Sequence, residues 1–170
     1  MVSTFNGLTQ QVEMFEKEVA PISEHKITLE WERETDSFSY ESYNRDHVVI
    51  FEGGVRVPAS AAPAYRGNAS HVNPEEALVA ALSSCHMLTF LAAAAKKQFV
   101  VERYSDRAVG FLEKNQKGKL AITRVVLYPR IEFGGATRPT ADQLASLHER
   151  AHGDCFIANS VTTEVTVGAE

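Results

Sequence analysis

The sequence predicts an α+β fold, on three observations. A long apolar stretch carries its own helix start signal at Asn73, strand-like alternation lies on both sides of it, and neither a linker nor an internal repeat divides the chain. A length of 170 residues fits one domain with a real core, read as spanning residues 1–170. The apolar share of 44% beside a charged share of 23% is that of a soluble globular protein, not a disordered one. A net charge of −5 argues against a general nucleic-acid binder, which needs a basic face. The opening MVSTFNGLTQQ lacks a basic segment followed by an apolar one, so the reading is a chain without a secretory signal, cytoplasmic. In that compartment its two cysteines are expected as reduced thiols, metal ligands or a working redox pair rather than a structural staple.

Residues 3–20 carry a weak helical pattern (Val12, Met14, Phe15, Val19), so residues 1–25 are expected as a short helix or an arm. Residues 26–33 alternate, with Ile27, Leu29 and Trp31 on one face, as in a half-buried strand. A second strand is expected around Phe38, Tyr40 and Tyr43. Residues 47–51 and 55–57 flank Glu52-Gly53-Gly54, a hairpin signal. Residues 58–72, rich in proline and small residues, read as a long surface loop.

The central helix is expected over residues 73–97. Asn73 is a good N-cap, Pro74 suits the first turn, and Glu76 stands where a capping box needs it. Glu75 and Glu76 place negative charge at the positive end of the dipole, and Lys96 and Lys97 close the other end. Apolar or small residues occupy almost every face, which predicts a helix buried all round. The run is long enough for a membrane span, but Ser83, Ser84, His86 and Thr89 at its centre favour a buried helix over a bilayer. After it, residues 99–113 and 120–133 read as strands joined by a turn at 115–118, with Pro129 marking a break or an edge. Thr140 and Gln143 predict a second helix stopped at Gly153, and Asp154 is read as the cap of a short helix beginning at Cys155. Residues 162–167 alternate as a closing strand.

Cys85 lies mid-helix, followed by His86; Cys155 is distant in sequence, which excludes a C-x-x-C redox motif. Each thiol taken alone reads equally as a small buried hydrophobe. A first-turn position for Cys155 would favour its thiolate, whereas Cys85, mid-helix, needs a cation brought to it. His148, His152 and Cys155 stand at i, i+4 and i+7, a spacing that offers a metal two ligands at most without help. His86 reads as a core histidine or one hydrogen-bonded beside the thiol.

These residues carry a resemblance. N-P-E-E, then S-C-H on an apolar helix, a distal H-G-D-C-F-I-A-N-S, and upstream Y-N-R-D-H and F-E-G-G-V together resemble the OsmC/Ohr family, the osmotically inducible and organic hydroperoxide resistance proteins, nearer its OsmC-like branch. The resemblance implies an OsmC-like fold, antiparallel strands around a long buried central helix, assembled as an intertwined homodimer. It implies a thiol peroxidase without a cofactor or metal. Cys85 would attack an organic hydroperoxide and become a sulfenic acid, and Cys155 would condense with it to a disulfide. Arg45 would stabilise the thiolate, Glu75 would hold Arg45, and a dithiol, possibly a dihydrolipoyl protein, would reduce the enzyme. Nucleic acid and membrane are not among the implied partners. Where some relatives place proline after the distal cysteine, this chain has Phe156.

Helix geometry adds to the resemblance. Glu75 and Cys85 lie about 15 Å apart along one helix and roughly 80° around it. Two antiparallel helices from two subunits bring such residues to one arginine more easily than a single helix does. Arg56, on the hairpin's second strand, is the alternative to Arg45. The rival from another class is a dimer that binds a small apolar ligand and keeps its cysteines as packing.

Overall fold

A computed structural model describes residues 23–168; the expected helix or arm over residues 3–20 lies outside them. Three strands open the described chain: β1 (Ile27–Glu30), β2 (His47–Phe51) and β3 (Arg56–Ala59). They form one antiparallel sheet in the order β1-β2-β3. The hairpin expected at Glu52-Gly53-Gly54 is present, with Gly54 at φ +81°, a conformation that suits glycine. The register sets Ile27 opposite Phe51 and Leu29 opposite Val49, which in turn faces Val57. One face of the sheet is therefore apolar. It is not half-buried as expected: Ile27 is 55% exposed and Leu29 57%, because nothing among the described residues covers that face.

No strand forms around Phe38, Tyr40 and Tyr43; residues 39–43 turn instead. Ser39 and Ser42 bond to one another, and the Tyr43 amide donates to the Ser39 carbonyl. The aromatic residues pack among themselves, Trp31 on Phe38 and Phe38 on Tyr43. Local side-chain bonds thus outcompete the ladder that β-prone aromatics would favour. The loop at 58–72 is partly structured, with a short 3-10 turn at Pro63–Tyr65 and a bridge between Ala59 and Val72. Asp46 ties it to β2, accepting from Asn68 Nδ2 at 3.1 Å.

Helix α1 (Pro74–Lys96) starts as the sequence dictates: Asn73 accepts from the Glu76 amide, and the Glu76 carboxylate accepts from the Asn73 amide. It is not buried all round. Leu82, His86, Phe90 and Ala94 form its one fully buried line, at i, i+4, i+8 and i+12. On another face Ala77, Ala80, Ser84, Ala92 and Ala95 are exposed, and Leu88 is 60% exposed. By length and composition α1 could span a bilayer, and 22% of its most apolar stretch is buried within the chain.

The two long strands expected at 99–113 and 120–133 exist as one long hairpin bent at a single level. β4 (Val101–Asp106) and β5 (Val109–Lys114) go up; β6 (Leu120–Leu127) and β7 (Pro129–Phe133) return. β4 pairs with β7 and β5 with β6, both antiparallel. The Asp106 carboxylate holds the bend, accepting from the Tyr128 amide at 2.7 Å and from Ser83 Oγ of α1 at 2.5 Å. Gly110 lets β5 approach α1 closely, since a Cβ there would lie 2.5 Å from Val79. Helix α2 (Ala141–Gly153) has the expected Thr140–Gln143 capping box. The closing strand β8 (Glu164–Val167) pairs with β6 in parallel, an exception to the antiparallel pattern expected throughout.

Two clusters form the core. Phe90 and Ala94 of α1 pack with Phe99 and with Leu147 and Ala151 of α2, while Leu82 packs with Val125 and Leu127 of β6. Helix α1 thus lies between α2 and the bent hairpin, and its remaining faces carry Cys85 and the exposed alanines.

Candidate active site

Cys85 is partly exposed on α1, and Cys155 is 1% exposed just beyond α2. The two thiols are near neighbours, close enough for Cys85 to raise the Cys155 pKa, so residues far apart in sequence form one dithiol. The short helix expected from Cys155 forms as a 3-10 turn at Ala158–Ser160, and Cys155 lies between it and α2, its carbonyl accepting from the Asn159 amide at 3.0 Å. The Cys155 amide donates to the His152 carbonyl, and Asp154 ends α2, its carboxylate taken by Arg150 one turn back. Asp154 is thus committed to the preceding helix. The C-terminal end of α2 disfavours a thiolate here, while the amides of the turn that follows favour one. Burial raises the Cys155 pKa and contact with Cys85 raises it further, while the Ala158 amide, 3.4 Å from Sγ, opposes both. Cys155 is therefore a protonated thiol at neutral pH.

Beside the dithiol lies a pair of histidines. His86, 1% exposed, approaches His148 of α2 with Nε2 to Nδ1 at 3.1 Å, the rings stacked within 12° of parallel. His148 also packs on Phe90, ring centroids 4.7 Å apart. Burial lowers the pKa of His86 to about 4, helped by His148, and burial lowers that of His148 as well. Both are neutral at pH 7, so one N–H donates to the other ring's lone pair. Sequence reasoning singled out both histidines but did not pair them. Among the described residues no three His, Cys, Asp or Glu side chains converge as metal ligands, so His148, His152 and Cys155 do not form a metal set.

Arg45 stands apart from the thiols. Its guanidinium donates to the Tyr40 and Tyr43 carbonyls and lies over the Tyr43 ring, 3.8 Å from the centroid. Among the described residues no hydrogen bond or ion pair joins Arg45 to Glu75, or either to a cysteine. Arg56 is paired at the sheet surface with Glu30, at 3.0 Å. Glu75 borders a cleft of about 650 Å³ between α1 and the bent hairpin, with Ser83, Met87 and Ile122. Ser83 and Met87 each point roughly 160° around the helix from Cys85, so the cleft is not at the dithiol. Of the four candidate residues the single chain unites two.

A family model described as OsmC-like protein matches residues 67–170. The chain is 48% identical to an OsmC-like protein of unknown function from Vibrio cholerae, with a TM-score of 0.82 over 86% of this chain and 99% of that one. It shares its fold with an organic hydroperoxide resistance protein from Elizabethkingia anophelis, at 16% identity and a TM-score of 0.65 over 89% and 99% of the two chains. The same holds for an organic hydroperoxide resistance protein of Bacillus subtilis, at 15% identity and a TM-score of 0.62 over 87% and 98%. A comparison with curated proteins gives no match. The chain belongs to the OsmC-like family.

Proposed function

We propose that this chain is a thiol-dependent peroxidase for organic hydroperoxides. One observation carries the reading: the fold brings the thiols of Cys85 and Cys155 close enough to interact. The more exposed Cys85 attacks the peroxide's outer oxygen, the O–O bond breaks, and a proton leaves with the alcohol: Cys85–SH plus ROOH gives Cys85–SOH plus ROH. The buried Cys155 then displaces hydroxide from that sulfur, and with one proton it leaves as water, giving the Cys85–Cys155 disulfide. An external dithiol, a dihydrolipoyl protein by resemblance, returns both thiols by exchange. The protein would work in the cytoplasm.

Arg45 and Glu75 enter through a homodimer. Two apolar surfaces that no described residue covers support it: the face of β1–β3 bearing Ile27, Leu29 and Phe51, and the small-residue face of α1. Packing a second copy against them lets one chain's Arg45 and Glu75 serve a thiolate on the other, where a fixed cation lowers the thiol pKa and steadies the leaving oxygen.

Replacing each cysteine in turn separates the two steps. Cys85→Ser should abolish reduction of cumene hydroperoxide, and full turnover in that variant would refute the reading. Cys155→Ser should undergo one oxidation and stall as a trappable sulfenic acid. A second reading, an OsmC-like dimer that binds a small apolar ligand without turnover, draws on the 650 Å³ cleft with Val79, Met87 and Ile122 in its wall.

A further inference from the structure

The histidine pair has no part in the chemistry just described, yet it occupies the seam that brings the two cysteines together. His86 directly follows Cys85 on α1, and His148 lies on α2 seven residues before Cys155. Around the bond the seam is apolar: Phe90 and Ala94 on one side, Leu147 and Ala151 on the other. Apolar contacts of this kind tolerate sliding and rotation, whereas an N–H···N bond at 3.1 Å fixes direction as well as distance. Neither nitrogen can be abandoned cheaply, because a buried polar atom left unpaired costs free energy. The ring of His148 is held in turn by Phe90.

We infer that His86 and His148 are positioning residues for the dithiol: their hydrogen bond sets the register of α2 on α1 and so holds Cys155 against Cys85. The inference rests on the reading of these cysteines as a redox pair. It assigns the histidines to closure of the disulfide and not to attack on peroxide. Closure depends on the effective concentration of one sulfur at the other, which small misplacements reduce steeply.

The test compares three full-length variants with the wild type in glutathione redox buffers, reading the equilibrium between dithiol and Cys85–Cys155 disulfide by thiol-trapping mass spectrometry. His148→Phe keeps a ring on Phe90 but has no nitrogen; His148→Leu replaces it should the phenylalanine variant fail to fold. His148→Asn restores a hydrogen-bonding atom near the place of Nδ1. The disulfide equilibrium constant should fall about tenfold or more in His148→Phe and return to within about threefold of wild type in His148→Asn. The rate of Cys85 sulfenic acid formation from peroxide should be the same in all. An unchanged equilibrium in His148→Phe, or an asparagine variant as impaired as the phenylalanine one, would overturn the assignment. Because the redox buffer contains no organic peroxide, a wild-type disulfide that forms there without peroxidase turnover refutes the proposed function alone. A wild type that forms none refutes the redox pair and this inference together.

Discussion

The seam between α1 and α2 and the sheet β1–β3 each present an apolar face, and the two faces end in opposite states. In the seam, Phe90, Leu147 and Ala151 are fully buried, and a polar bond between His86 and His148 is enclosed with them. In the sheet, Ile27, Leu29 and Phe51 line up on one face by the register of their strands and remain open. The seam completes its own chemistry, since it brings Cys85 to Cys155. The sheet carries Arg45 beside it and delivers that cation to no thiol in its own chain. Hydrophobic patterning says that a face will be covered without saying by which chain.

The comparison can be broken most forcefully in the seam. Phe90→Ala should cost about 3–5 kcal/mol of stability, read from chemical denaturation; a loss as small as a surface substitution gives would mean that the seam is not the core. Acid should act at the same place. His86 and His148 have pKa values lowered in the folded state, so the stability they support is complete above the unfolded value of about 6.5 and is lost as pH falls below it. For His86, whose folded pKa is about 4, the loss between those limits amounts to roughly 2–3 kcal/mol. His148 and His152 of α2 oppose its protonation and Asp106 of β4 favours it. A denaturation series from pH 7 to 4 in wild type and His86→Gln measures this, and parallel curves would exclude the histidine as the cause.

The sheet is tested by smaller effects. Arg45→Ala should slow oxidation of Cys85 about tenfold or more by stopped-flow while leaving closure of the disulfide unaltered; an unchanged rate would pass the role to Arg56 or to no arginine. Leu29→Ala should change the unfolding free energy of a chain by less than about 1 kcal/mol yet weaken association. Light scattering at micromolar concentration should show a dimer in the wild type and a concentration-dependent monomer in the variant. Equal dimerisation of both would remove this face from the interface.

Much of the fold was legible because its signals are local. The boxes Asn73–Glu76 and Thr140–Gln143 form as read, and so does the hairpin around Gly54. Failures came where a residue had two local partners or a distant one. Asp154 had to choose between capping forward and pairing back with Arg150, and it pairs back, which leaves the Cys155 sulfur, not the Asp154 carboxylate, to accept from the Ala158 amide of the 3-10 turn that follows. The aromatics near Tyr40 have strand propensity but pack on one another around a turn. The parallel pairing of β8 with β6 and the bond from His86 to His148 depend on how distant elements cross, which no window of sequence contains. At the site, sequence and resemblance named Cys85 and Cys155, and the fold unites them. Arg45 and Glu75 were named on the same grounds, and within one chain they stand apart from the thiols.

The central claim is that Cys85 and Cys155 are one redox unit, and intact mass with a free-thiol count tests it most directly. Reduced protein is treated with one equivalent of cumene hydroperoxide and, separately, of hydrogen peroxide. The account predicts that both thiols disappear together with the loss of two hydrogen atoms, faster with the organic peroxide. Two thiols still titratable after either treatment would contradict it, leaving the fold intact and giving first place to the binding of a small apolar ligand.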